Sequence, residues 1–284
     1  MKKITLLIHC KDRPNIIARV TNFIADQGGN IVYLDQHVDR EQNIFFMRLE
    51  AEFEGTEFSS EQFKDSFKNT LAESFKMKWR VYSSESQTKM ALFVSKYDHC
   101  LYDLLGRYHS GELPLEIPFI ISNHNDLKSI ADRFNIPFYH IPVTKDTKEK
   151  AEEKQLELLK EHGIDFIVLA RYMQIVTSKI ISEYPNKIIN IHHSFLPAFV
   201  GAKPYHSAFK RGVKIIGATS HYVTEALDAG PIIEQDVTRV SHSHNIHDLI
   251  SKGRDLEKIV LSNAVKLHAQ RKVMVYNNKT VIFS

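Results

Sequence analysis

The 284-residue sequence has few cysteines, no long apolar run and almost no excess of charge. Its two cysteines, Cys10 and Cys100, are far apart and form no CxxC pair, which predicts reduced thiols in a cytoplasmic protein. No apolar run reaches the roughly 20 residues that a membrane helix needs, so we expect no membrane partner. The opening MKKITLLIHCKDRP meets charge and proline too early for a secretory signal. A net charge of +3 is too small to indicate a nucleic-acid partner.

The composition that is present is typical of a globular protein. Hydrophobic residues make up 43% and charged residues 25% of the chain, and its length suffices for one large or two ordinary domains. The 15 histidines are a high count. The histidine-containing segments are therefore the first place to look for chemistry.

The first 84 residues predict a βαββαβ unit of the ferredoxin-like kind. Alternating or apolar runs predict four strands, and Gly28-Gly29 ends an amphipathic helix that begins after Pro14. A second helix begins near Ser59, a suitable N-cap residue. The predicted strands are residues 3–9, 31–39, 44–53 and 77–84.

The remainder predicts a second domain of the α/β class. We place domain boundaries at 1–84 and 90–284, joined by a polar linker at 85–89. From residue 90 onward strands alternate with helices, which predicts a Rossmann-like, mostly parallel sheet with helices on both faces. Two later strand-like runs, 213–223 and 230–240, predict an antiparallel extension beside the active cleft.

The segment NIHHSFLPAFVGAKPYH, residues 190–206, is the most informative motif. It follows an apolar strand, and polar groups at the carboxyl ends of parallel strands are where open α/β folds usually hold their ligands. Asn190 and His192 have i, i+2 spacing and so share one side of an extended segment. With His221 and Asp228 they offer an amide for an oxyanion, an imidazole for proton transfer and a carboxylate to orient a nucleophile. The alternative is structural: the polar pair caps the strand, and Asp228 forms a turn.

A metal site is a further possibility that the histidines raise. His242, His244 and His247 lie close together in SHSHNIH, but the HExxH and CxxC spacings typical of zinc are missing. We interpret this segment as a loop and N-cap leading into the next helix, and we expect no metal.

These motifs resemble the folate-dependent formyltransferases, a family that includes glycinamide ribonucleotide formyltransferase and methionyl-tRNA formyltransferase. The resemblance rests on residues 190–206, ISNHND, LARYMQI, GATSHYV and LDAGPII, and covers nearly all of residues 90–284. The N-terminal unit resembles an ACT domain, a module that often binds amino acids. This fusion is similar to the formyltetrahydrofolate deformylase family, which implies hydrolysis of 10-formyltetrahydrofolate to formate and tetrahydrofolate. Such a reaction supplies formate for purine biosynthesis and balances one-carbon pools, with the folate as substrate and no prosthetic cofactor.

The resemblance also implies roles for individual residues. Asn190, His192 and Asp228 become the catalytic residues, and His221 is expected to support the loop of Asp228. His193 stays unassigned, since its side chain could equally face away from the cleft and serve packing. The implied substrate-binding residues are Arg171, Met173, Gln174, Ile175, Val176, His221 and Leu227.

Water is the simplest acceptor of the formyl group. Relatives that act on a phosphorylated amine have a glycine-rich loop after their first strand, whereas here the strand runs into Lys96-Tyr97-Asp98-His99 without glycine before Gly106. A tRNA acceptor is also disfavoured, because we do not expect the basic C-terminal extension of the tRNA-acting relative in this sequence. Two alternatives remain, a transferase for a small amine and a folate or amino-acid sensor without catalysis.

The ACT-like unit predicts partners. The loop with Asp12, Arg13 and Asn15 precedes a helix N-terminus whose N–H groups suit an amino-acid carboxylate. A purely oligomerising unit is the alternative. In both cases we expect a homo-oligomer, a dimer or tetramer.

Overall fold

The computed structural model describes residues 2–54, 58–84, 87–198 and 204–283, which form two compact units. Unit 1 comprises Met1–Gln87, Arg271–Met274 and Val281–Ser284; unit 2 comprises Thr88–Gln270 and Val275–Thr280. Residues 85 and 86 of the predicted linker lie outside the described residues. The boundaries 1–84, 85–89 and 90–284 stay a prediction.

Unit 1 has the predicted βαββαβ order. Its four strands pair antiparallel in the order β2-β3-β1-β4. The second helical segment passes through a π turn, Lys68–Ala72, between α2 and α3. Its elements are β1 (Lys2–Lys11), α1 (Ile16–Asp26), β2 (Gly29–Asp39), β3 (Ile44–Phe53), α2 (Ser60–Phe67), α3 (Glu73–Phe75) and β4 (Lys78–Ser83).

The core of unit 1 follows directly from the sequence pattern. Every second residue of β1 from Ile4 to Cys10 is buried, because side chains alternate across a strand. Phe23 of α1 packs edge-on against Phe63 and Phe67, with ring centroids 5.5 and 5.4 Å away. Burial of these apolar side chains against the sheet stabilises the two-layer unit.

The C-terminal segments contribute contacts to unit 1. Arg48 on β3 is almost fully buried, and its Nε donates to the Arg271 carbonyl oxygen at 3.0 Å. The Arg271 guanidinium lies 4.3 Å from the centroid of the Tyr82 ring on β4. Phe283 is 1% exposed.

Unit 2 is built on a seven-stranded sheet with the order β11-β10-β9-β8-β5-β6-β7. Strands β5 to β9 are parallel, and β10 and β11 are antiparallel to their neighbours, which confirms the predicted extension. Its elements are β5 (Met90–Val94), α4 (His99–His109), β6 (Ile120–Ser122), α5 (Lys128–Arg133), β7 (Phe138–His140), α6 (Lys148–Glu161), β8 (Phe166–Leu169), α7 (Ser178–Glu183), β9 (Ile188–His192), α8 (Pro204–Arg211), β10 (Ile215–Tyr222), β11 (Ile232–Arg239) and α9 (Ile246–Ala269). A two-stranded sheet of β12 (Val273–Tyr276) and β13 (Lys279–Ile282) follows.

The strand order reverses next to β5. From β5 the chain adds β6 and β7 on one side of the sheet and β8 and β9 on the other. Such a switch point opens a crevice beyond the carboxyl ends of the strands, where α/β folds bind ligands. The fold therefore directs attention to the residues after β5, β8 and β9.

The long helix α9 begins as predicted. Asn245 accepts hydrogen bonds from the N–H groups of His247 and Asp248, and the Asp248 carboxylate accepts one from the Asn245 N–H. His244 accepts from the backbone N–H of Ser241 at 2.9 Å. Among the described residues, no helix has the length and apolarity needed to cross a membrane.

Candidate active site

Three segments of unit 2 meet at the carboxyl ends of the parallel strands. Asn190 ends up between β8 and β10, because it pairs in register with Leu169 on one side and His221 on the other. The loop after β8 and the β10–β11 loop close the sides of a cavity of about 380 Å³. All ten residues predicted for the site line this cavity: Arg171, Met173, Gln174, Ile175, Val176, Asn190, His192, His221, Leu227 and Asp228. Their individual roles stay predictions.

Asp228 faces His192. The distance from Asp228 Oδ2 to His192 Nδ1 is 3.2 Å, and the carboxylate is mostly buried. Its backbone has φ 54°, a left-handed conformation that Asp adopts more readily than most residues and that turns the side chain into the cavity. Hydrogen bonding to His192 is the main cause that holds the pKa of the Asp228 carboxyl well below its usual range. Asp228 is therefore an anion throughout the physiological pH range.

The Asp228 contact sets the proton positions on His192. A carboxylate only accepts, so Nδ1 of His192 carries the proton that lies between the two groups. Nε2 of His192 is buried and has no hydrogen-bond partner among the described residues. In the neutral ring this nitrogen is an acceptor, so it can exchange a proton with a bound substrate.

His221 orients Asn190. Its Nδ1 lies 2.9 Å from the carbonyl oxygen of Tyr222, which can only accept, so the proton resides on Nδ1. Nε2 then accepts from Asn190 Nδ2 at 3.3 Å. Among the described residues nothing accepts from the second N–H of the Asn190 amide, so it is available to a ligand. Asp228 Oδ1 lies 3.6 Å from His221 Nε2.

An apolar rim surrounds the polar groups. Met173, Ile175 and Leu227 are 50%, 61% and 64% exposed, which is high for large apolar side chains at a cavity. Ser95, directly after β5, accepts from the Met173 N–H at 2.9 Å and donates to Asn123 Oδ1 at 2.6 Å. The loop after β8 is thereby tied to the sheet while its apolar side chains stay open to a flat ligand.

His193 lines the cavity and does not turn away from it. Its ring stacks on that of His192, with centroids 5.3 Å apart and planes 28° apart. Nη1 of Arg171 contacts His193 Nδ1. The Arg171 guanidinium also lies 4.9 Å from the Tyr97 ring centroid and, through Nε, 3.4 Å from Glu257 Oε2.

Sequence reasoning missed three residues, Glu257, Tyr205 and His99, that form a cluster next to Arg171 and His193. Glu257 accepts from Tyr205 Oη at 2.7 Å and faces His99 Nε2 at 2.8 Å. The sequence indicates this cluster only through Gly253, because a glycine in the middle of a long helix often has a packing reason.

Three ligand-type side chains, His99, Cys100 and Glu257, bring one donor atom each within 4.8 Å of one another. Burial raises the pKa of the Cys100 thiol well above its usual value, whereas a metal ligand needs the thiolate. Glu257 is already engaged with Tyr205, His99 and the charged Arg171. This donor set suits a hydrogen-bonded ion-pair cluster better than a cation site.

Comparison with known proteins gives the same picture over both units. The family model for formyl transferase matches residues 88–265, and the ACT domain model matches residues 4–57. A formyltetrahydrofolate deformylase of Synechocystis sp. is 52% identical over 99% of this chain and 98% of its own length. The Bacillus subtilis formyltetrahydrofolate deformylase is 46% identical over 98% of this chain and 93% of its own.

Among solved structures, a formyltetrahydrofolate deformylase from Pseudomonas syringae pv. tomato superposes with a TM-score of 0.96 at 48% identity. The match covers 100% of this chain and 95% of that one. Similarity of this extent includes the cavity, the strands that build it and the N-terminal unit. The chain therefore belongs to the formyltetrahydrofolate deformylase family.

Proposed function

We propose that Asn190, His192 and Asp228 carry out the hydrolysis of 10-formyltetrahydrofolate, the reaction of the family to which this chain belongs. The observation that carries the assignment is the His192–Asp228 pair, whose free Nε2 borders the same cavity as the Asn190 amide. An anion, an imidazole acceptor and an amide donor together supply what acyl transfer to water needs.

The folate binds along the loop after β8. Its flat pteridine packs on Met173, Ile175 and Leu227, whose exposed side chains offer apolar surface. The formyl group then lies beside Asn190, and the free N–H of the amide donates to the carbonyl oxygen. Charge that develops on this oxygen during attack is stabilised by the preoriented donor.

Water is the nucleophile. Asp228, held as an anion, orients the water and stabilises the imidazolium that forms when Nε2 of His192 takes a proton from it. The water oxygen bonds to the formyl carbon, and His192 then donates that proton to N10 as the C–N10 bond breaks. Formic acid leaves and becomes formate when its carboxyl proton, the remaining hydrogen of the attacking water, passes to solvent, and tetrahydrofolate is released.

The segment after β5 supports water as acceptor. A phosphate cradle needs exposed backbone N–H groups, but this segment carries the bulky side chains of Lys96, Tyr97 and Asp98. The ring of Tyr97 also contacts the Arg171 guanidinium. A transfer to a small amine and a non-catalytic sensor are both less favoured. The named relatives are deformylases, and Asn190, His192 and Asp228 all line the same cavity.

The decisive experiment is formate release without an amine. Purified protein incubated with 10-formyltetrahydrofolate alone should produce formate and tetrahydrofolate in equal amounts, measured by a formate dehydrogenase assay and by absorbance. An amine titration runs in parallel. Formate that appears only after an amine is added would replace hydrolysis by transfer.

We further propose an amino-acid site in unit 1. Arg13, Asn15 and Arg19 line a cavity of about 510 Å³ at the N-terminus of α1. Asn15 has φ 71° and its side chain does not cap the helix, so the first N–H groups of α1 are open to a carboxylate. Asp12 is not among the lining residues, and its N–H donates to the Asn43 carbonyl.

Three broader expectations accompany this assignment. The enzyme works in the cytoplasm on a small-molecule substrate, without prosthetic group, metal or nucleic acid. Strands β2 and β4 are the edge strands of the unit 1 sheet, and open strand edges favour pairing with a second copy. We therefore expect a homo-oligomer.

A further inference from the structure

The buried carboxylate of Glu257 is the centre of a network that the proposed reaction does not use. Glu257 is 1% exposed on α9 and has polar partners on α4, α8 and the loop after β8. Burial opposes its ionisation, but His99 and the charge of Arg171 outweigh burial, so the pKa of Glu257 lies below its usual range. A charge this deep in a protein is costly unless it is paired and hydrogen-bonded.

Helix α9 is adapted to this network. Gly253 lies one turn before Glu257, and a Cβ at this position would come within 2.1 Å of the Tyr205 ring. Glycine within a helix costs about 1 kcal/mol relative to alanine. The missing side chain lets the Tyr205 ring cross α9 and place its hydroxyl on Glu257 Oε1.

Arg171 links Glu257 to the active site. Its guanidinium lies between Glu257 Oε2, 3.4 Å from Nε, and His193 Nδ1, which Nη1 contacts. The residue has φ 61°, a left-handed conformation that favours glycine, so an arginine here is held by its side-chain contacts. Arginine keeps its proton, so it must be the donor and His193 Nδ1 the acceptor.

This donation fixes the state of His193. With Nδ1 accepting, the ring is neutral and its proton resides on Nε2. The neutral ring stacks on His192, 5.3 Å away. When His192 takes a proton from water, it does so beside an uncharged neighbour, whereas a second imidazolium there would repel it.

We propose that Glu257 is a positioning residue for the hydrolysis, acting through Arg171 and His193 to hold His192 in place and to balance the arginine charge beside it. The inference rests on the proposed role of His192. In the part of the chain that the structure describes, the titratable and charged groups near Glu257, Arg171, His193 and His192 include Tyr97, His99, Cys100, Tyr205, His221 and Asp228.

The first test is the pH profile of Glu257→Gln. Without the carboxylate, the Arg171 charge is uncompensated and disfavours an imidazolium nearby. The limb of kcat/KM that reports imidazole protonation should therefore move to lower pH, by roughly half a unit or more. At the pH optimum kcat should fall at least about tenfold, while KM stays within roughly threefold.

Two further variants serve as controls for the Glu257→Gln profile. Glu257→Asp keeps the charge and should return the limb close to its wild-type position. Glu152→Gln removes another buried carboxylate of unit 2, which caps the start of α7 at Thr177. This control should lower the melting temperature but leave the pH profile unchanged. An unshifted profile in Glu257→Gln would overturn the proposal.

The second test needs no substrate and no variant of Glu257. In the wild-type protein labelled with ¹⁵N-histidine, the His193 signals, assigned by their loss in His193→Gln, should show a protonated Nε2 and an unprotonated Nδ1. A proton on Nδ1 would refute the arginine donation. Because this readout is independent of turnover, a protein that lacks deformylase activity but shows the expected tautomer would contradict the proposed function alone.

Discussion

At the scale of single residues, charge placement distinguishes the proposed catalytic groups from ordinary strand-end polar residues. Asp228 combines a left-handed backbone, a mostly buried carboxylate and a depressed pKa. A simple turn aspartate would need only the first of these. Because of the His192 contact, we propose that Asp228 acts through its negative charge and not through the shape of its side chain.

Asp228→Asn tests this distinction. The amide preserves size and turn geometry but removes the charge that orients water and supports the imidazolium. We expect kcat to fall by about 10² to 10⁴ while folate affinity changes little, measured by steady-state kinetics and by direct folate titration. Equal losses in affinity and rate would assign Asp228 to substrate recognition, and full activity would remove it from the mechanism.

The residues of the site differ in how well the sequence predicts them. Asn190 and His192 belong to one short motif at the carboxyl end of the strand β9, so local reasoning suffices to find them. The hydrogen-bond partners of Glu257 are His99 and Tyr205, which are 158 and 52 positions away in the sequence. From the sequence alone, each of the three residues would be interpreted as a solvent-exposed polar residue of its helix. Only folding brings them together, and for the same reason His193 could not be assigned from the sequence.

At the scale of secondary structure, the pattern of alternation predicted the order and type of the elements well. The helix that was predicted to begin near Ser59 is capped by this residue, and the N-cap predicted for the SHSHNIH segment is Asn245. The π turn in the second helical segment and the brevity of β6 and β7 were not predictable, because both depend on tertiary packing and not on local propensity.

Two helix glycines give a matched prediction at this scale. A methyl group added at Gly106 in α4 would meet no packing neighbour within 4 Å in the part of the chain that the structure describes, whereas at Gly253 in α9 it would meet Tyr205 at 2.1 Å. Gly106→Ala should therefore gain about 0.5–1 kcal/mol from helix propensity, a rise of a few degrees in melting temperature. Gly253→Ala should lose stability and activity, because Tyr205 must leave Glu257. Equal gains in both variants in thermal melts would contradict the close approach.

At the scale of the whole molecule, unit 1 raises the question of regulation. If the cavity at α1 binds an amino acid, glycine or methionine should change the turnover rate or the melting temperature of the full chain. Arg19→Gln should abolish the response, because Arg19 lines the cavity, whereas Lys68→Gln on another exposed part of unit 1 should preserve it. A titration in which no amino acid changes either quantity would favour a purely oligomerising unit.

Metal removal is a second test on the complete protein. The proposed steps use only Asn190, His192 and Asp228, and the nearby His99, Cys100 and Glu257 are engaged in their own contacts or protonated. Dialysis against a strong chelator should therefore leave formate release unchanged. A lost rate that zinc or iron restores would overturn this prediction.

The return of residues 271–274 and 281–284 to unit 1 has a consequence for biosynthesis. Residues 2–83 leave the ribosome before residues 88–270, but Arg48 can donate to the Arg271 carbonyl oxygen only after residues 88–270 have been translated. Domains generally fold as units during synthesis, with N-terminal ones first. Almost all of unit 2 is translated before the last segments of unit 1, so the nascent N-terminal sheet acquires its last native contacts only after nearly all of unit 2 has been made.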